Sequence, residues 1–297
     1  MILARVTDGS TGFWALVDGD TASARRVLAP FAQWAGMLGT GEADALDLAA
    51  TALPMTGLRR IAPVEPGCRI FGVGLNYLSH LTRLGRTEAP PHTIAYIKPD
   101  SAIVDPDDEI QYPAVTQQLD FEVELVAVIG KPLADTAQAT QCLLGYTIGN
   151  DISARDAGKT LGSLDLFTQK ALDRSAPIGP WIATLDACGG PGQPALRMTQ
   201  TINGELRQSD STANMIFPVD ELLNFLDARV ALRPGDLVFT GSTCGVGLED
   251  GRFLQPGDRL EAEIEAIGLL RNTVGARRNL APQRSAGRLG IATATPK

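Results

Sequence analysis

The sequence predicts a mixed, β-rich α+β fold with a small N-terminal domain. Short β-type runs bounded by Gly, Pro or Asp dominate after residue 66, helical patterns are few, and Pro54, Pro63 and Pro66 mark a change of composition near that point. We therefore predict an accessory domain over residues 1–66 and a larger β-rich domain over residues 67–276. The polar, aperiodic residues 277–297 are predicted to form a flexible tail.

Length and composition support a folded chain. It has 297 residues, of which 44% are hydrophobic and 20% charged, as in ordinary globular proteins. A formal charge of −8 disfavours nucleic acid and anionic membranes as partners, since both need clustered Lys and Arg. Neither a secretory signal nor an apolar run of about 20 residues is visible, so we expect a cytoplasmic location.

Individual elements follow from local patterns. An Ala- and Leu-rich stretch at residues 42–53, residues 134–142 and residues 219–228 are the helix candidates. Asn203-Gly204 predicts a type I′ hairpin, because both positions tolerate positive φ. The strand candidates after residue 66 are residues 68–74, 93–99, 120–130, 142–150, 196–204, 205–208, 236–241 and 259–268.

The cysteines and histidines limit the kinds of metal site. The four cysteines lie far apart, which indicates neither a disulfide framework nor a thiolate zinc site. His80 and His92 are the two histidines, too few for a centre built mainly from imidazole. Any metal site must therefore use oxygen ligands.

A row of acids in the predicted strand 120–130 is the most informative feature. Asp120, Glu122 and Glu124 alternate with apolar residues and should share one face. Such a row must be exposed, protonated or neutralised by a cation, because uncompensated burial of carboxylates is costly. An edge strand with a solvated acidic face is the alternative. Asp151, directly after another strand candidate, could add a third carboxylate for Mg²⁺ or Mn²⁺; Ca²⁺ fits less well without a loop cage.

Six ordered motifs resemble the fumarylacetoacetate hydrolase (FAH) family. They are GVGLNYLSH at 72–80, DFEVELVAVIGK at 120–131, GYTIGNDISARD at 145–156, FTQKALDRSAPIGP at 167–180, INGELRQ at 202–208 and LRPGDLVFTGSTCGVG at 232–247. The resemblance covers about residues 68–275. It implies a catalytic domain with a β-sandwich roll, a homodimer, and a small oxo-acid substrate.

The resemblance also implies roles for individual residues. The family's metal ligands fall on Glu122, Glu124 and Asp151, and Lys170 matches a lysine that faces the substrate. A salt bridge on a helix face is the alternative for Arg155, and a surface lysine or a turn residue would be the default for Lys170 or Ser242 alone. The substrate-binding candidates are Arg155, which supports the site, Ser242, where many members carry a threonine, and Tyr77.

His80 matches a histidine that handles water in hydrolytic members, together with a glutamate three residues later. This chain has Arg83 there, so we expect weaker activation of His80 as a base. Glu88 could substitute for the missing carboxylate, or His80 could simply pack within a lid. Gly158 stands where related hydrolases often place a glutamine, which indicates an altered substrate pocket.

The function implied is cleavage of a carbon–carbon bond in a 2-oxo or 2,4-dioxo acid by water, through a metal-chelated enolate. The loss of the glutamate partner favours chemistry that needs no attacking water, such as decarboxylation, tautomerisation, isomerisation or cyclisation. A hydratase on the same fold is a further alternative. A non-catalytic binding protein on the same fold is a third possibility. The metal ligands and Lys170 argue against it.

Overall fold

The computed structural model describes residues 1–19, 21–38, 46–86, 88–157 and 165–279. Two large β-sheets dominate it, which confirms the predicted β-rich α+β class. The helices of these residues are α1 (Phe31–Leu38), α2 (Leu78–Arg83), α3 (Leu166–Lys170), α4 (Val219–Asp227) and α5 (Gly247–Asp250).

The strands lie mainly in the region predicted to be β-rich. They are β1 (Ile2–Thr7), β2 (Gly12–Val17), β3 (Ser23–Arg26), β4 (Leu53–Pro54), β5 (Arg59–Ile61), β6 (Ile70–Gly74), β7 (Ile94–Lys98), β8 (Ile103–Val104), β9 (Glu109–Tyr112), β10 (Leu119–Asp120), β11 (Val123–Ile129), β12 (Leu143–Asn150), β13 (Ser153–Ala154), β14 (Ala176–Thr184), β15 (Arg197–Ile202), β16 (Glu205–Ser211), β17 (Leu237–Ser242), β18 (Arg259–Ile264) and β19 (Gly268–Arg277).

The larger sheet has twelve strands, ten of them in the order β4-β3-β2-β1-β14-β12-β11-β17-β6-β7. Its centre, β12, β11 and β17, is buried throughout. Strand β7 lies at the end of this order, paired with β6. Residues far apart in the sequence therefore lie on neighbouring strands of this sheet, in the order β12-β11-β17-β6-β7.

The smaller sheet, in the order β16-β15-β18-β19-β9, packs against one face of the larger one. Apolar residues of both sheets share a single buried cluster, in which Val123 and Leu125 of β11 meet Met198 of β15 and Ile264 of β18. Every second side chain along each strand points into this buried cluster, and the side chains between them point to the other face of the sheet.

The opposite face of the larger sheet is covered by α1. Trp34 and Ala35 pack with Val126, Leu144 and Phe239 in a second cluster. Burying both faces explains why the central strands read as nearly continuous apolar runs.

The N-terminal strands continue the larger sheet. Residue Ile2 of β1 pairs with Ala183 of β14, and β2, β3 and β4 extend the sheet outward. The sheet therefore crosses the predicted boundary at residue 66. Of the predicted tail, residues 280–297 lie outside the described residues.

Several predicted elements are confirmed and others are wrong. The Asn203-Gly204 turn has the expected positive φ values of 52° and 83°, and α4 occupies the helix candidate at residues 219–228. Residues 134–142 instead contain the end of one 3-10 turn and the whole of a second, with extended backbone at Thr136 after the first. Residues 46–53 are not helical, because Leu48 bridges Val27; residues 42–45 lie outside the described residues.

Two further observations concern the cysteines and the membrane. All four thiols are free, and Cys244 alone among them is partly exposed. No helix in the ranges given above is long and apolar enough to cross a membrane.

Candidate metal centre and active site

Three carboxylates meet where β11 begins and β12 ends. Single oxygens of Glu122, Glu124 and Asp151 all lie within 4.8 Å of one another. The register of the strands causes this convergence: Val123 pairs with Asn150, and the amide of Asp151 donates to the Glu122 carbonyl at 2.8 Å. Exposure is 7% for Glu122 and 0% for Glu124 and Asp151, so the solvated-face alternative is wrong.

The predicted continuous strand 120–130 is interrupted at residues 121 and 122, between β10 and β11. The side chain of Asn150 stabilises this break by accepting a hydrogen bond from the Glu122 amide at 2.9 Å. Asp120 turns to other partners, accepting from the amides of Gly247 and Leu248 at 2.6 and 2.9 Å. It therefore anchors the start of α5 instead of joining the three converging acids.

Two predicted cations contact the carboxylates directly. Arg155 donates through Nε to Asp120 at 2.8 Å and through its terminal nitrogen to Glu122 at 2.5 Å. The Lys170 ammonium donates to Glu122 at 2.5 Å and also to Asp151. In this structure Arg155 holds Glu122, which agrees with a supporting role more than with the predicted substrate contact.

Strand β7 adds two residues that the sequence analysis missed, Tyr96 and Lys98. Lys98 is 1% exposed, and its ammonium donates to Asp151 Oδ1 at 2.7 Å. The Tyr96 hydroxyl donates to the other oxygen of Asp151. A lysine within the apolar run IAYIK was an available signal, because a buried ammonium requires an acidic partner.

The charges in this cluster are not balanced by the protein alone. Asp120, Glu122, Glu124 and Asp151 bring four carboxylates, whereas Arg155, Lys170 and Lys98 bring three cations. Among the residues described, Oε1 of buried Glu124 has no hydrogen-bond partner, while Oε2 accepts from the Gly241 amide at 2.7 Å.

The pKa values of Glu124 and Glu122 shift in opposite directions, because different charges lie near each carboxylate. Burial, together with Asp151 and Glu122, raises the pKa of Glu124 well above its usual value. Burial would also raise the pKa of Glu122, but Arg155 and Lys170 lower it overall. A hard divalent cation would supply Glu124 with the partner it lacks, so the residues fit Mg²⁺ or Mn²⁺.

His80 has a carboxylate partner that the sequence analysis did not identify. Its Nδ1 lies 2.8 Å from Oε1 of Glu249, on α5, and both side chains are buried. The other oxygen of Glu249 accepts from the Gly245 amide at 2.8 Å, which fixes the carboxylate. Burial raises the pKa of Glu122, whereas Arg155, Lys170 and, after them, a positive charge on His80 lower it. Glu88, the predicted substitute, is exposed.

Two predicted substrate contacts are occupied by other partners. The Tyr77 hydroxyl donates to the sulfur of Met198 at 3.5 Å within the core, so its placement favours packing. The Ser242 hydroxyl donates to the Val123 carbonyl at 2.8 Å and accepts from Gln208 at 2.9 Å. Gly158 lies outside the described residues.

Comparisons with known proteins identify the family of this chain. The family model for the C-terminal domain of fumarylacetoacetate hydrolase matches residues 69–275. A mitochondrial oxaloacetate tautomerase from Bos taurus is 35% identical over 226 residues, which cover 75% of this chain and 71% of that protein.

Solved structures extend the comparison. A 2-hydroxyhepta-2,4-diene-1,7-dioate isomerase from Mycobacterium marinum has a TM-score of 0.76 and 32% identity, and the match covers 94% of this chain and 100% of that one. Fumarylpyruvate hydrolase from Pseudomonas aeruginosa, in complex with Mn²⁺ and pyruvate, has a TM-score of 0.62 and 32% identity over 74% of this chain and 92% of its own. The chain therefore belongs to the fumarylacetoacetate hydrolase family.

Proposed function

We propose that this protein is a divalent-metal-dependent hydrolase that cleaves a carbon–carbon bond in a 2-oxo or 2,4-dioxo acid. The observation that carries the proposal is the buried His80–Glu249 pair. The absence of a carboxylate three residues after His80 disfavours hydrolysis, but Glu249 supplies that carboxylate from a distant part of the chain.

The His80–Glu249 pair can act as a general base toward a water molecule. Because the Glu249 carboxylate accepts the hydrogen bond, the proton of neutral His80 lies on Nδ1 and the lone pair lies on Nε2. Nε2 can then take a proton from an attacking water, and Glu249 stabilises the imidazolium that forms. The same nitrogen returns the proton to the carbon of the leaving fragment.

The remaining residues hold the substrate and its charge. Glu122, Glu124 and Asp151 would hold Mg²⁺ or Mn²⁺, which supplies Lewis-acid polarisation of a substrate oxygen. Lys170 keeps its positive charge, because Asp151 and Glu122 outweigh burial and raise its pKa. A fixed ammonium in this dry site stabilises negative charge that develops on the substrate.

Keto–enol tautomerisation or isomerisation of a related oxo acid is the second candidate function. Relatives with these activities in their names, at 35% and 32% identity, favour it. The His80–Glu249 pair can serve here as well, by moving a proton between carbon and oxygen instead of activating water.

Product analysis separates the candidates. Purified protein would be incubated with Mg²⁺ or Mn²⁺ and either an acylpyruvate or oxaloacetate, and products followed by NMR. Release of pyruvate and a carboxylic acid from the acylpyruvate supports hydrolysis. Faster enol-to-keto conversion of oxaloacetate without cleavage supports tautomerisation, release of CO₂ supports decarboxylation, and no turnover of either compound supports a binding protein.

Assembly and location belong to the same proposal. The family resemblance supports a homodimer, and light scattering should then give twice the chain mass of 31.4 kDa. A monomer mass at micromolar concentration would contradict it. A cytoplasmic location stays a prediction that fractionation of the native cells can test.

A further inference from the structure

Tyr96 and Gly72 form a matched pair beside the candidate metal site. The two residues lie directly opposite each other on the antiparallel strands β7 and β6. A Cβ atom at position 72 would lie 2.3 Å from Cζ of the Tyr96 ring and 2.6 Å from its hydroxyl oxygen. No real Cβ tolerates such distances, so the ring keeps its position only because residue 72 is glycine.

The Tyr96 ring reaches two groups of the site at once. Its buried hydroxyl donates to Oδ2 of Asp151, one of the three converging carboxylates. Its face lies 5.3 Å from the ammonium of Lys170, within the range of a cation–π contact. Asp151 and Lys170 are therefore both restrained by one rigid side chain.

Lys98 completes the restraint on Asp151. It follows Tyr96 by two residues on β7 and donates to Oδ1, whereas Tyr96 donates to Oδ2. Side chains two residues apart on a strand share a face, so Tyr96 and Lys98 of β7 can donate to both oxygens of the Asp151 carboxylate. Groups that orient a ligand in this way commonly change metal affinity by 10- to 100-fold when removed.

We infer that Tyr96 is a positioning residue that orients Asp151 for metal binding and aligns Lys170, and that Gly72 provides the space this requires. The inference rests on the proposed metal site and deepens it. It assigns a function to Tyr96, which lies outside the acidic row and the family motifs, and to Gly72, to which the motif at 72–80 gave no role of its own.

The test measures Mn²⁺ binding to the metal-free protein by electron paramagnetic resonance, which needs no turnover. Tyr96→Phe keeps the ring against Gly72 and Lys170 but removes the hydroxyl, and it should weaken Mn²⁺ binding roughly 10-fold. Tyr112→Phe is the control, because Tyr112 is also a buried tyrosine but lies on β9 beneath Arg277. It should bind Mn²⁺ like the wild type.

Gly72→Ala provides an independent test, since it should displace the ring and weaken Mn²⁺ binding at least as much. The loss in the double variant should be smaller than the sum of the two single losses in free energy, because both act through one contact. Circular dichroism and thermal unfolding would show that each variant is folded.

The possible outcomes show whether the role of Tyr96 fails alone or together with the proposed metal site. If the wild type binds Mn²⁺, Glu124→Gln does not, and Tyr96→Phe binds within about twofold of the wild type, the role of Tyr96 is wrong and the site stands. If the wild type does not bind Mn²⁺, both the inference and the proposed metal site are overturned.

Discussion

Nδ1 of His80 and Oε1 of Glu249 lie 2.8 Å apart, although 169 residues separate them in the chain. Helix α2 carries the imidazole and α5 carries the carboxylate. Because Gly245 holds the second oxygen of Glu249, the pair is fixed before substrate arrives.

Glu249→Gln tests the base. The amide can still hydrogen-bond His80 but cannot stabilise the imidazolium, so we expect kcat to fall by roughly 100-fold, with Mn²⁺ affinity nearly unchanged. Steady-state kinetics and metal titration measure the two effects. Glu88→Gln is the control, because Glu88 is exposed in the segment following α2. A drop in rate for Glu88→Gln but not for Glu249→Gln would restore Glu88 as the partner.

Glu124→Gln and Glu122→Gln should differ in their effect on the metal-free protein. Glu124 is a buried acid with one unpaired oxygen, so its neutralisation should leave the melting temperature equal or higher. Glu122 balances Arg155 and Lys170, and its neutralisation should cost roughly 3 kcal/mol of unfolding free energy.

Metal binding should be lost in both variants, which gives the complementary measurement. Calorimetry with Mn²⁺ should show affinity reduced by at least about 100-fold in each, because each removes one of three carboxylate ligands. Retention of tight binding in both variants would refute the ligand assignment.

Asp210→Asn tests a hydrogen-bonded aspartate beside α2. Asp210 accepts from Ser79 at 2.7 Å, from Asn214 at 2.7 Å and from Thr243. Burial opposes its ionisation, but these donors lower its pKa overall. Because the folded pKa lies below the unfolded one, near 3.9, the carboxylate stabilises the fold above that pH, and the contribution disappears as pH falls through the folded pKa.

The difference in melting temperature between wild type and Asp210→Asn should therefore be largest near neutral pH and should shrink below about pH 4. Thermal scans across this range measure it. Asp135→Asn, at an exposed position, should show a small difference at every pH. A difference for Asp210→Asn that grows on acidification would contradict the assigned shift.

Ser242→Ala tests the predicted substrate contact against the observed one. The hydroxyl is already bonded to Val123 and Gln208, so we expect a loss of about 1 kcal/mol in stability and a KM within about threefold of the wild type. Denaturant unfolding and kinetics measure both. A KM raised more than tenfold at unchanged stability would support the substrate role inferred from the family.

Much of the site could be predicted from the sequence because its pattern is local. Period-two alternation placed Glu122 and Glu124 together, and Asp151 follows β12, which pairs with β11. The prediction of one unbroken strand was wrong, since the break at residues 121 and 122 separates Asp120 from the other acids. A hydrogen bond from the Glu122 amide to the distant side chain of Asn150 accounts for the break, and no local pattern contains it.

By itself the sequence determined the β-rich class, the family and the three converging carboxylates, because alternation and ordered motifs are properties of the chain read in order. Only the tertiary structure decided that Glu249 hydrogen-bonds His80, that Tyr96 and Lys98 donate to Asp151, and that Tyr77 packs in the core. These contacts join residues 53 to 169 positions apart. Sheet order and register bring these residues together, and neither produces a periodic pattern in the sequence.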